Sequence, residues 1–148
     1  MPNTPAMVGE GMTVMCYNEP VSDEEFADVR ALFDAIGETE VLDEKLLNAV
    51  VSVSGSSPAY VYMMIEAMAD AAVYDGIPRN IAYKLAAQSV LGSAKMVLET
   101  GTHPGALKDA VCSPGGTTIR AVQVLEEEGF RSSIIKAMIE CNKKAMNM

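Results

Sequence analysis

The chain has no tryptophan, a single histidine and three cysteines in its 148 residues. One histidine, His103, cannot supply an HExxH-type pair, so no metal site is expected. Cys16, Cys112 and Cys141 are odd in number, far apart and without a CxxC pair. That pattern excludes a disulfide framework and suits a reducing cytoplasm. Positive charge is also scarce, with 11 Lys and Arg against 20 Asp and Glu and a formal net charge of -9. A nucleic-acid backbone or an anionic membrane would repel such a surface, so neither is expected as a partner. The close basic pair Lys143 and Lys144 reads as a solvated helix end. No basic-flanked apolar leader opens the chain, and the apolar run from Val61 to Val73 is broken by Glu66 and Asp70 well short of membrane-spanning length. These absences describe a soluble, cytoplasmic protein.

What is present is apolar and mostly helical in pattern. At 49% hydrophobic the chain is long enough to form a sizeable core. Gly11 to Asn18 (GMTVMCYN) reads as a β-strand, with valine, threonine and tyrosine favouring extended backbone. Ser22 followed by Glu25 is a capping box. Behind it Phe26, Val29, Leu32, Phe33 and Ile36 recur at helical spacing until Gly37 stops the helix. Asp43 opens a further helix that Gly55 ends. Pro58, behind Ser56 and Ser57, begins a long helix reaching Asp75–Gly76, and Pro78 begins another. The interior of the latter is rich in small residues, among them Ala86, Ala87, Ser89, Gly92, Ser93 and Ala94. Both long helices are apolar over more than one face, which points to burial against a second copy. Gly92 costs about 1 kcal/mol against alanine in a helix interior, so close approach of another helix is the better reason for it. The expected fold is all-α with one short N-terminal strand. A lone strand cannot satisfy its backbone groups, so its partners are expected to lie before residue 1.

One loop stands out chemically. In SPGGTT, Ser113 and Pro114 precede Gly115 and Gly116, and a helix is expected to take hold around Thr117 and Thr118. Glycines admit a ligand close to the backbone, and free N–H groups at a helix start form an anion site. Ser113, Thr117 and Thr118 add hydroxyls that donate or accept. The competing reading, which the pattern alone favours, is that the serine and threonines only cap the helix. In SGSSPAY, Ser54 to Tyr60, capping is the stronger reading outright. His103 before Pro104 reads as a turn residue, Glu66 and Asp70 as solvated carboxylates, and the methionines as core filler.

These segments together carry a resemblance. KDAVCSPGGTTIRAVQVLEEEGFRS closely resembles a C-terminal motif of pyrroline-5-carboxylate reductases. VSVSGSSPAYVYMMIEAMADAAVYDGIPRNIAYKLAAQSVLGSAKMV and MPNTPAMVGEGMT resemble other segments of that family, in the same order. The resemblance implies an enzyme of proline biosynthesis that reduces 1-pyrroline-5-carboxylate to L-proline with NADPH or NADH. It implies an interlocked helical dimerisation domain, similar to the C-terminal domain of 6-phosphogluconate dehydrogenase, over residues 19–148. Residues 1–18 would be the tail end of a nucleotide-binding domain, with the strand left from a Rossmann sheet. By the same resemblance Ser113, Gly115, Gly116 and Thr117 bind the substrate carboxylate, and Thr118 sits at the ring nitrogen in the catalytic role. Asn3, Thr4 and Pro5 line the nicotinamide. The substrate pocket would lie at the interface of a homodimer or higher homo-oligomer.

Departures from the family are informative. No GxGxxG loop is present, so this chain alone is expected to bind no cofactor tightly and to be inactive. Ser57 stands where the family often has glycine, and Cys112 where it often has serine or threonine; an inert thiol is expected. The alternative function is a non-catalytic helical dimer or interaction module that keeps a loop for small carboxylates. An intact SPGGTT loop favours the enzyme.

Overall fold

The structure is a computed structural model and describes residues 1–147. It is dominated by helices, as expected, and contains a two-stranded parallel sheet. The backbone divides into two compact units, Met1–Val61 with the chain end from Ile135, and Tyr62–Ile134.

In the first unit a 3₁₀ turn, Thr4–Val8, leads into strand β1, Gly11–Met15. Helix α1, Asp23–Asp34, then returns the chain to strand β2, Gly37–Val41. The strands pair in parallel from Gly11 opposite Gly37 to Met15 opposite Val41. The strand expected to be solitary therefore has a partner within the chain, a correction to the sequence-based reading. Gly37 does more than stop α1: it opens β2, a segment reading GETEV with no apolar alternation. Glu38 and Glu40 face solvent and only Thr39 is buried. The Thr39 hydroxyl accepts from Arg30 Nε at 2.9 Å and donates to Asp34 Oδ1 at 2.6 Å, which ties β2 to the helix before it.

The capping box of α1 forms as expected. Ser22 Oγ accepts from the Glu25 N–H at 3.2 Å, and the Glu25 carboxylate accepts from the Ser22 N–H at 2.9 Å. That backbone N–H, followed by the Ser22 hydroxyl, holds the Glu25 carboxyl below its ordinary range. A depressed folded pKa contributes stability above the ordinary glutamate value and loses it as pH falls through the folded pKa. We expect Ser22→Ala to cost about 1 kcal/mol in denaturant unfolding at neutral pH. The difference from wild type should shrink in acid but not vanish, because the Glu25 N–H bond to Ser22 Oγ does not titrate. A gap that does not shrink at all as Glu25 is protonated would remove the Ser22 hydroxyl from the carboxylate.

After β2, Asp43 caps a short 3₁₀ turn, Glu44–Leu46, which runs into α2, Leu47–Val50. A π turn, Val51–Gly55, follows, closed by the Ser56 N–H donating to the Val51 carbonyl at 2.7 Å. The single helix expected from Asp43 to Gly55 thus changes pitch twice. Helix α3, Ser57–Tyr74, begins with Pro58 in its first turn, and α4, Arg79–Thr100, begins behind Pro78. Asp70, read as merely solvated, forms an ion pair with Arg79. Only Ala69 of α3 and Ala82 and Ala86 of α4 are buried. Large apolar side chains on both helices stand in the open: Met63 is 68% exposed, Tyr74 92% and Leu98 79%. Such surface is costly to leave in water. An ideal Cβ on Gly92 meets no atom within 4 Å, so nothing within the chain explains this glycine.

Helices α5, Pro104–Ala110, and α6, Thr117–Glu127, follow, and α7, Phe130–Met146, closes the fold. Among the described residues no helix is long and apolar enough to cross a membrane.

Candidate functional site

The loop between α5 and α6 takes a defined shape. The Gly116 N–H donates to the Ser113 carbonyl at 3.0 Å, closing a four-residue turn with Pro114 second and Gly115 third. Gly115 has φ +68°, the left-handed value that the third position of a type II turn demands. Gly116 is constrained by space instead. A Cβ there would lie 2.4 Å from Ser113 Oγ and 3.1 Å from the Ser113 carbonyl oxygen. The serine hydroxyl is therefore folded over the backbone of the residue that begins the helix.

Gly116 is the N-cap of α6, and no side chain caps it. By contrast Ser22 caps α1, Asp43 caps the 3₁₀ turn after β2, and His103 Nδ1 caps α5 by accepting from the Gly105 N–H at 3.0 Å. Ser113, Thr117 and Thr118 thus do not cap this helix, whereas His103, expected as a turn residue, is the N-cap of α5. None of those three hydroxyls makes a hydrogen bond among the described residues. The first intrahelical bond at this end is the long one from the Arg120 N–H to the Gly116 carbonyl, 3.4 Å. The N–H groups of Thr117, Thr118 and Ile119 thus have no acceptor within the helix. Three aligned N–H donors at the positive end of a helix dipole, flanked by three free hydroxyls, suit a small carboxylate. Gly116 contributes by lacking a side chain, since its own N–H is committed to the turn.

The loop is open: Ser113, Pro114, Gly115, Thr117 and Thr118 are all exposed. A ligand held there would need another surface to exclude water. An apolar cleft of about 280 Å³ is lined by Lys108, Val122, Leu125, Glu126, Phe130 and Arg131 and includes none of the loop residues. Lys108 stays firmly charged, its amine raised by the hydrogen bond to Asp109 and by the charge of that carboxylate. Cys112, half-buried, is a free thiol, as are Cys16 and Cys141.

The other expected site residues lie in the first unit. Thr4 is exposed and Pro5 half-buried in the 3₁₀ turn, one hydroxyl and one apolar ring at its start. Asn3 differs from its neighbours because its side chain is engaged within the protein. Nδ2 donates to the Ser54 carbonyl at 3.0 Å and Oδ1 accepts from the Met12 N–H at 2.9 Å. Sequence reasoning missed this pair of bonds, although Pro58, four residues after Ser54, was its available signal.

Comparison with known proteins places the chain. The family model for pyrroline-5-carboxylate reductase dimerisation matches residues 44–148. Over 145 residues the chain is 64% identical to a pyrroline-5-carboxylate reductase of Escherichia coli strain K12, covering 98% of this chain and 54% of that protein. Its fold superposes on a pyrroline-5-carboxylate reductase from Coxiella burnetii with a TM-score of 0.93 at 36% identity, over 99% of this chain and 55% of that one. It superposes on a Plasmodium falciparum pyrroline carboxylate reductase with NADP bound at a TM-score of 0.91 and 34% identity, over 98% and 59%. The chain spans about half the length of the curated relatives it matches. An acidic, helical chain with unpartnered apolar helices and an uncapped glycine-rich helix start is thus a member of the pyrroline-5-carboxylate reductase family, matching that family's dimerisation domain.

Proposed function

We propose that this chain is the substrate-binding and dimerisation part of a reductase that converts 1-pyrroline-5-carboxylate to L-proline with NADPH or NADH. The observation that carries the reading is the uncapped first turn of α6 behind Gly115 and Gly116, ringed by unused hydroxyls. The Thr117 and Thr118 N–H groups and the Ser113 hydroxyl hold the substrate carboxylate, and the lack of side chains at Gly115 and Gly116 lets it approach. The Thr118 hydroxyl faces the ring nitrogen, where it orients the imine and stabilises its protonated form, the better hydride acceptor. NAD(P)H, when bound, supplies the hydride to the imine carbon while the C=N electron pair moves to nitrogen. The segment that carries Asn3, Thr4 and Pro5 would hold its nicotinamide. The free Thr4 hydroxyl and the Pro5 ring fit one polar and one apolar contact with such a ring. We read residues 1–18 as the tail end of a nucleotide-binding domain and residues 19–148 as the helical dimerisation and substrate-binding domain. A second subunit covers the open loop and makes the alignment of donor and acceptor carbons productive.

Reconstitution tests this. Mixing the chain with a separately made nucleotide-binding half, adding pyrroline-5-carboxylate and following NADPH oxidation should give turnover in the mixture and none from either part. Turnover absent from a folded dimer with a competent NADPH-binding partner would favour the non-catalytic dimer. In the active mixture, Thr118→Val should leave the dimer folded and reduce kcat by roughly 10²-fold, the scale of a lost transition-state donor. Wild-type turnover by Thr118→Val would remove the threonine from the ring nitrogen.

A further inference from the structure

The π turn before α3 has a chemical cause that bears on Asn3. In a regular helix the Ser54 carbonyl would accept from the N–H of residue 58, but residue 58 is proline and has none. The Ser56 N–H reaches back to Val51 and the Ala59 N–H goes to Ser56, so neither serves Ser54. The orphaned carbonyl is taken by Asn3 Nδ2 at 3.0 Å, across 51 residues of sequence. The same side chain accepts from the Met12 N–H at the start of β1. One carboxamide therefore binds three backbone segments: the residue before the 3₁₀ turn Thr4–Val8, strand β1 and the π turn. Asn3 is half-buried and does this with one N–H and one lone pair.

The geometry points to Asn3 as a positioning residue: it latches the Thr4–Pro5 segment to the carbonyl that Pro58 frees, and so sets where the nicotinamide ring is held. This rests on the reductase reading for its consequence, though not for the latch itself. Asn3 then acts through Thr4 and Pro5 rather than by touching the cofactor. Pro58 belongs to the same device, because a backbone N–H at that position would compete for the Ser54 carbonyl.

Two measurements separate the latch from its consequence. Amide hydrogen exchange in this chain reads the latch at Met12 and at Ser56, whose N–H closes the π turn. Asn3→Ala should speed exchange at both by roughly tenfold, the effect of one lost net hydrogen bond. Asn3→Asp keeps an acceptor for Met12 and loses the donor to Ser54, so only Ser56 should accelerate. Unchanged exchange at both amides in Asn3→Ala would overturn the latch. The same proteins, mixed with the nucleotide-binding half, should lose about tenfold in kcat, with KM for pyrroline-5-carboxylate within about twofold of wild type, because misalignment affects the hydride step and not the carboxylate loop. Pro58→Ala should reproduce the kcat loss with Asn3 intact. Wild-type kcat in Pro58→Ala, with Asn3→Ala impaired, would overturn positioning in favour of a direct contact. Wild-type kcat in all three variants would overturn any role of the latch in the reaction. Failure of the wild-type mixture itself to turn over would count against the reductase reading and against this catalytic consequence, while the exchange data would still decide the latch.

Discussion

Gly37→Ala is expected to unfold the N-terminal part of this protein, and it is the most damaging single methyl group the structure identifies. Gly37 has φ +150°, which an L side chain rarely adopts. A Cβ would fall 2.0 Å from the Gly11 carbonyl oxygen and 2.4 Å from the Gly11 nitrogen, both backbone atoms that cannot rotate away. Gly11 is itself hemmed in, with an added Cβ 2.8 Å from the Ala6 side chain and 2.9 Å from the Ile36 carbonyl. The first rung of the parallel pair is therefore glycine against glycine, and the approach requires both. Strain at such a backbone costs about 1–3 kcal/mol, and the collision adds to it, so the loss should reach roughly 3 kcal/mol or more. Chemical denaturation of Gly37→Ala checks this. A loss below about 1 kcal/mol would mean that the β1–β2 register shifts at little cost.

Gly92→Leu is expected to break the assembly while leaving the chain folded. Leu85, Ser89, Gly92 and Met96 fall on one face of α4 at intervals of four, three and four residues. Leu85 and Met96 are exposed, and nothing approaches the position of a Cβ on Gly92. In an isolated chain, leucine there would meet no obstacle and would raise helix propensity by roughly 0.8 kcal/mol relative to glycine. In a dimer the same position is where a facing helix would come close, and an isobutyl group would hold it off. Sedimentation should find wild type at least dimeric and Gly92→Leu monomeric, with unchanged helix content by circular dichroism. A Gly92→Leu protein that is both dimeric and more stable would place Gly92 in water and the interface on another face. A stable wild-type monomer would undo the interlocked-helix architecture altogether.

The two variants mark how far the sequence could be read. Helix starts were legible wherever local chemistry sets them. Ser22 with Glu25, Pro78 and Thr117 lie at or beside the starts of α1, α4 and α6, because caps and prolines act over a few residues. The apolar faces of the two long helices were legible too, and Tyr74 and Leu98 stand exposed on them. The helix start in the loop Ser113 to Thr118 was legible, but whether its hydroxyls cap the helix or stand free was open until the backbone placed Gly116, uncapped, at that start.

Tertiary structure alone decided the rest. Strand β2 carries no apolar alternation; its neighbour β1, the return through α1 and the bonds of Thr39 to Arg30 and Asp34 hold it, and those partners all lie outside GETEV. The latch from Asn3 to Ser54 joins residues whose meeting no local pattern predicts, although Pro58 announces that a carbonyl will need a donor. Local hydrogen-bond and backbone preferences act within a turn of chain and can be read in order. Pairings across tens of residues depend on where the folded chain brings backbone groups that would otherwise go unsatisfied, and only the fold reveals them.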